Sequence, residues 1–498
     1  MNTDAPHGSD PKRPADARPT GPQLIPALGA FSTIMLVIGG VIGSGIFRKA
    51  GVMADQLGSP RLLLGVWLVG GIITLFGALT NAEVAGMIPK TGGQYIYFEK
   101  MFGPFFAYLY GWGAFAVIQT GSISAVAYVF AEYAVKFVHL PEFSPVWAGF
   151  SIHLPLIGDI MPLKEIGVKG LAAALIIGLT VVNYIGVKFA GVVQNIFTIA
   201  KIAAMALLFL GAFLLPTGGS AANLTTSSTL IHPTGFRLFL ALAAAMQGAF
   251  WAYDGWNKIT YIAGEVREPQ RNIPLGLIVG MIIVAVIYML INAAYAYVLP
   301  VDVMAKSKLV AADVAEKCFK GGGLWIAAAV MLSTFGTTNA IILASARVYF
   351  SMAHRNVFPR FLGRVHPGFH TPAASLVVQG VWAVLLLFSG TFDTLTDTLI
   401  FVAWIFYAAG AYGVFVLRRK MPDAPRPYKV PGYPFVPWMF IAFACVYLVL
   451  TAYNDIEGYR AAVAAKQPAI INSAFGIALV LAGTPIYWYY RRRGGRSS

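Results

Sequence analysis

Apolar runs long enough to cross a bilayer recur about a dozen times along the chain, and this pattern limits the fold more than any other feature. The stretches 171–187, 190–216, 275–299 and 372–389 are each near or above the ~18–20 residues that span a hydrocarbon core. One such run can hide in a soluble protein, but not a dozen. In lipid every backbone N–H and C=O must be paired internally, which a helix does within its own segment. The runs predict spans 1 to 12 at 25–54, 61–88, 104–137, 166–187, 190–216, 236–266, 274–299, 323–352, 372–391, 396–418, 435–455 and 469–490. Composition agrees. Of 498 residues 58% are hydrophobic and only 11% charged, too few charges to cover a soluble surface. The expectation is an all-α integral membrane protein.

The formal charge of +15 reads as topology. Cytoplasmic loops of membrane proteins collect Lys and Arg, and no RNA- or DNA-binding motif points to nucleic acid as a partner. An even number of spans puts both termini on one side. The segments on that side hold 20 of the 36 basic residues, among them Arg418, Arg419, Lys420, Arg491 and Arg492. The loop at 217–235 on the other side has no charged residue. Positive-inside therefore predicts a multi-pass inner-membrane protein with both termini cytoplasmic. Residues 1–23 are polar, rich in Pro and Asp, and lack the apolar centre of a signal peptide. They predict a disordered cytoplasmic tail, and 491–498 a basic one. The two cysteines, Cys318 and Cys445, are far apart, so neither a disulfide framework nor a metal cluster is expected, and no cofactor.

Two spans are interrupted by residues that do not favour helix. Span 1 contains Gly39-Gly40 and then Gly43-Ser44-Gly45. Span 6 contains Asp254-Gly255 within Phe250-Trp251-Ala252-Tyr253-Asp254-Gly255-Trp256-Asn257. They open two sets of five spans. Matching interruptions in corresponding positions of two halves point to a transporter binding site. Five is odd, so the second set must run through the membrane inverted. The expected organisation is a first repeat at 24–216, an outer loop at 217–235, a second repeat at 236–418, and two extra helices within 419–490.

An interrupted helix leaves peptide groups bare in a medium without water, at several kcal/mol each unless a guest pairs with them. A half-helix starting after Gly43-Ser44-Gly45 presents N–H groups and the positive end of a dipole to a carboxylate. A half-helix ending at Asp254-Gly255 presents carbonyls to an ammonium. Together they suit the zwitterion of an amino acid. The alternative is that Gly43, Ser44 and Gly45 form a helix-packing face; the second interruption favours a site. Trp251 reads as a lid beside the break, against plain packing. Asp254 either caps the second half-helix or meets the amine. Lys201 lies about 16 Å into its span at 1.5 Å per residue, near the bilayer centre, where an ammonium needs a partner or a cavity.

The same residues resemble a known family. Val41-Ile42-Gly43-Ser44-Gly45-Ile46-Phe47 is similar to the first-span signature of the amino acid–polyamine–organocation superfamily. The stretch Ala252 to Asn257, Gly264-Glu265-Val266, and Ala82-Glu83 leading to Pro89-Lys90-Thr91-Gly92-Gly93 resemble its L-type amino acid transporter branch, as does Ser345 to Ala353 in span 8. The resemblance covers about residues 25–490. It implies a five-plus-five inverted repeat with two added helices and sodium-independent transport of amino acids, often as one-for-one exchange. It implies that Ile42, Gly43, Ser44 and Gly45 meet the substrate carboxylate. It also implies that Phe250, Trp251, Ala252 and Asp254 serve the amine, with Tyr253 and Gly255 completing the substrate stretch. Trp251, Lys201, Trp404 and Asn257 would gate or couple, Lys201 linking spans 1, 5 and 8 where sodium-coupled relatives hold their ion. Animal members join a heavy subunit through a cysteine between spans 3 and 4. The loop at 138–165 has none, so no disulfide-linked partner is expected.

These readings lead to an exchanger of neutral L-amino acids. Alternatives are a proton-coupled symporter of amino acids or amines and, in another class, an amino-acid-gated channel or receptor. An enzyme is not expected: no metal-ligand cluster, nucleophile elbow or acid pair with a base is found, and the seven histidines fall in the tail, loops or span ends.

Overall fold

Helix satisfies its own peptide groups, and nearly every apolar run is helical. The computed structural model describes residues 28–186, 190–216, 218–229, 231 and 233–494; the predicted tail at 1–23 lies outside them. Among these residues ten helices are long and apolar enough to cross a membrane. They coincide with predicted spans 1 to 8, 10 and 11. Span 9 is the shorter Ala373–Leu387. Span 12 departs from the expected single helix: it divides into Asn472–Leu481 and Gly483–Gly494. Span 3 aromatics hold that division. Trp112 Nε1 donates to Leu479 O at 2.8 Å, and Tyr108 OH donates to Gly483 O at 3.0 Å. The 138–165 loop carries a short helix, Pro145–Ala148, and a small antiparallel hairpin, Ile152–Leu154 with Gly158–Ile160.

Local sequence sets the helix ends. Ser59 accepts from Leu62 N before span 2 (Pro60–Met87), whose first residue is a proline, as suits a position with no N–H to spare. Span 3 runs Pro104–Ala134 with a π-helical turn at Ala114–Ile118. The carbonyls this turn loosens are taken from outside: Trp382 Nε1 donates to Ala116 O, and Tyr349 OH to Ala114 O.

The packing of spans 1 to 10 is nearly unchanged when each span n of the first five is exchanged with span n+5. Span 1 packs on 7 as span 6 packs on 2; span 1 on 5 as 6 on 10; span 3 on 9 as 8 on 4; span 5 on 8 as 10 on 3. Spans 2 and 7, 3 and 8, and 4 and 9 pack on each other, as pairs that map onto themselves must. That is a pseudo-two-fold. Because five crossings separate the halves, its axis lies in the membrane plane. The side on which span 1 begins is called near and the other far. The near end of span 1 meets the end of span 6, where Leu28 N donates to Glu265 O at 3.0 Å and Arg267 N to Leu28 O at 2.8 Å. Leu68, Ile72, Val181, Leu207, Val286 and Leu290 remain exposed as a lipid-facing surface.

Candidate substrate site

Both interruptions are real breaks, and they face each other. Span 1 is helical over Ala30–Val41, departs from helix at Ile42 (φ −69°, ψ 88°), and resumes at Gly45–Leu57. Span 6 is helical over Gly235–Tyr253. Asp254 is extended there (φ −68°, ψ 156°), Gly255 is left-handed (φ 104°), and the chain continues as a 3-10 helix over Trp256–Glu265. The glycines permit close approach. A Cβ on Gly45 would lie 2.4 Å from Ala252 Cα, and one on Gly255 would lie 2.4 Å from Gly40 O. Any side chain at either position drives the breaks apart.

What the breaks leave unpaired is informative. The N–H groups of Gly43 and Ser44 make no hydrogen bond among the described residues. The buried Ser44 Oγ and Trp251 Nε1 have no partner either. Gly43, Ser44, Gly45, Trp251 and Asp254 line one small cavity, bounded on the scaffold side by Ser122 and Thr337. Buried donors without acceptors cost about 1–3 kcal/mol each, so a ligand is the economical explanation for several around one cavity.

The carbonyls loosened by the breaks are partly taken up by the protein. Lys201 Nζ donates to Gly39 O at 3.3 Å, Ile42 O at 3.0 Å and Thr337 Oγ1 at 2.6 Å, joining spans 5, 1 and 8. Tyr288 of span 7 (Pro269–Val298) lies between the two breaks, with its OH 3.1 Å from Val41 O and 3.0 Å from Ala252 O. Ala252 O, expected to be free for an amine, is therefore shared with a tyrosine.

Several expected residues sit differently from the sequence expectation. Asp254 does not cap the second half-helix, whose N-cap is Gly255. Its carboxylate accepts from Tyr407 OH at 2.6 Å, because the extended Asp254 backbone turns the side chain toward span 10. Tyr253 faces away from the cavity: its OH donates to Trp67 O at 3.1 Å, and its ring packs on Trp67 and Tyr288. Phe250 packs on Trp404 with centroids 3.8 Å apart and rings tilted by 33°, and Trp404 packs on Phe440 and Tyr447 of span 11, outside the cavity between the breaks. Asn257 is buried and its carbonyl accepts from Thr260 Oγ1. Ile42 contributes its carbonyl, to Lys201. Trp251 does lie at the far end of the cavity, edge-on to Phe392.

Sequence reasoning missed Lys258, which lines the cavity, and a cluster of charges on the far side. Arg48 Nε contacts Glu132 Oε2 at 3.1 Å; Lys49 Nζ contacts Asp393 Oδ1 at 2.7 Å and Asp397 Oδ1 at 3.4 Å. The signal was present, since Lys49 and Arg48 fall inside a predicted span and Asp393 and Asp397 are four apart on one helix face. Span 10 begins at Phe392 rather than 396, which turns Asp393 from a loop residue into the first turn of a helix.

Comparison with known proteins agrees with this architecture. A family model described as amino acid permease matches residues 28–484. The chain is 31% identical over 470 residues to the serine/threonine exchanger SteT of Bacillus subtilis (strain 168), covering 94% of this chain and 97% of that one. It is 30% identical over 423 residues to the human b(0,+)-type amino acid transporter 1, covering 85% of this chain and 82% of the relative. It is 31% identical over 484 residues to the large neutral amino acids transporter small subunit 2 of Mus musculus, covering 97% and 84%. With facing breaks at the centre of an inverted helical repeat and a family match over nearly its whole length, this chain belongs to the amino acid permease family.

Proposed function

We propose that this protein exchanges neutral L-amino acids across the plasma membrane without sodium, by alternating access. The observation that carries this reading is the ring of unpaired donors at the first break, the N–H groups of Gly43 and Ser44 and the Ser44 hydroxyl, facing a second break across one cavity. A carboxylate pairs with those donors, and the end of the Gly235–Tyr253 half-helix, with Asp254, offers acceptors to the amine. Trp251 covers the far end. Lys201 supports sodium independence: two carbonyls and a hydroxyl form the kind of oxygen cage a hard cation takes, and an ammonium fills it. The basic loops support cytoplasmic termini, and the protein is read as acting as a single chain without a heavy subunit. Spans 1, 2, 6 and 7 would rock against 3, 4, 8 and 9, as the family resemblance implies.

Proteoliposome counterflow tests this. Labelled L-alanine, L-serine or L-leucine should enter only vesicles preloaded with unlabelled amino acid, with or without sodium. Lys201→Ala should lower the exchange rate by more than about tenfold, since it strands two buried carbonyls. Entry into empty vesicles driven by a pH gradient would favour proton-coupled symport instead, and flux that does not saturate would favour a channel.

A further inference from the structure

Lys258 sits one turn beyond Asp254, on the half-helix that leads from the site toward the near side, and lines the same cavity. An alanine-type Cβ on Gly255 would lie 3.2 Å from its Nζ, so the ammonium folds back against the break. It makes no hydrogen bond and no ion pair among the described residues, and the opposite charge that acts on it is the Asp254 carboxylate. The other charges of the site are engaged: Lys201 by Gly39, Ile42 and Thr337, and Asp254 by Tyr407. We propose that Lys258 is a specificity-determining residue that excludes cationic amino acids and accepts an anionic or acceptor-bearing substrate side chain, a carboxylate best of all. This deepens the exchanger reading and rests on it.

The charge balance around the cavity separates classes of substrate. The site holds two ammonium groups and one carboxylate. A neutral zwitterion leaves one positive charge uncompensated, a cationic amino acid leaves two, and an anionic one leaves none. Charges a few ångströms apart in a partly desolvated cavity are screened far less than in water, so these cases separate strongly. The α-carboxylate has its own donors at Gly43 and Ser44, which leaves the Lys258 ammonium for the side chain.

The test is competition in wild-type proteoliposomes exchanging labelled L-alanine. L-aspartate, L-glutamate and L-asparagine should displace the label at concentrations about tenfold or more below those needed for L-lysine. Lys258→Gln should shrink that ratio by about tenfold, and Lys258→Arg, which keeps the charge, should preserve it. L-lysine competing as well as L-aspartate in the wild type would overturn the inference while leaving neutral exchange intact, as would an unchanged ratio in an active Lys258→Gln protein. Should Lys258→Gln fail to fold, the wild-type ranking decides. No counterflow with any amino acid would sink the exchanger reading and this inference with it.

Discussion

The two half-helices that emerge from the breaks are counterparts under the pseudo-two-fold, yet they are fastened by different chemistry. On the far side, Gly45–Leu57 is held by charge. Arg48 pairs with Glu132 of span 3, Lys49 pairs with Asp393 and Asp397 of span 10, both cations lie beside the Phe392 ring, and Tyr133 OH donates to Phe47 O. On the near side, Trp256–Glu265 is held against the scaffold by a contact of Tyr261 OH with Tyr110 OH at 2.6 Å and, among the described residues, by one ion pair, Arg347 with Glu265 at 3.5 Å. Arg48–Glu132 and Glu265–Arg347 join symmetry-related spans with the signs reversed. The Lys49 and Arg48 side chains are 2% and 9% exposed; those of Arg347 and Glu265 are 30% and 27%. One repeated architecture therefore closes the far end with desolvated cations, set against partly exposed aspartates, and the near end with an ion pair partly exposed on both partners. The site itself reflects this. Ser44 and Trp251 are buried, whereas Gly40, Asp254 and Lys258, toward the near side, keep partial exposure.

The sharpest way to break the contrast is on the carboxylate side. Asp393→Asn with Asp397→Asn leaves the buried Lys49 without a counter-charge, at about 3–5 kcal/mol. A cysteine at Ser44, in a protein lacking Cys318 and Cys445, should then become far more reactive toward a membrane-impermeant thiol reagent applied from the far side. Unchanged labelling and unchanged thermal stability would mean that the charges do not close this end. Lys49→Met should act in the same direction but less, about 1–2 kcal/mol, because the aspartates it abandons are 37% and 27% exposed and can be hydrated. The order of the two variants, not only their size, is the prediction.

Tyr288→Phe tests the tie between the two breaks. It removes the donor shared by Val41 O and Ala252 O and should lower stability by about 1–3 kcal/mol, read as a reduced melting temperature in detergent. It should not favour either side, because Tyr288 touches both half-structures equally. Arg347→Gln should have the smallest effect, under about 1 kcal/mol, since both partners of its pair are partly exposed. The expected readout is a rise of a few fold in near-side labelling, reproduced in the unsubstituted protein by raising salt. A large, salt-insensitive effect would show that the near side is sealed as firmly as the far side.

Much of this was legible in the sequence for simple reasons. Apolar runs have nowhere to go but helices in lipid, so the spans and their order could be read directly. Gly43-Ser44-Gly45 and Asp254-Gly255 announced the breaks because their residues release the backbone or bind it locally. Lys201 stood out because an ammonium so deep in a span needs a partner. Which atoms would be its partners was not legible, since Gly39, Ile42 and Thr337 meet it only through packing of three separate helices. Tyr288 and Tyr407 gave no signal among 23 tyrosines. The division of span 12 arises from Trp112 and Tyr108, more than 360 residues away along the chain.

By itself, then, the sequence determined the membrane, the helices and the two places where helix gives way, because those follow from each segment's own solvation and backbone freedom. Tertiary structure decided where the loosened peptide groups and embedded charges find partners. It turned Asp254 to Tyr407, set Tyr253 and Trp404 behind the cavity wall, and left Lys258 without a hydrogen bond among the described residues at the cavity's edge. Such pairings depend on which faces of distant helices meet, and no local feature of the chain encodes that.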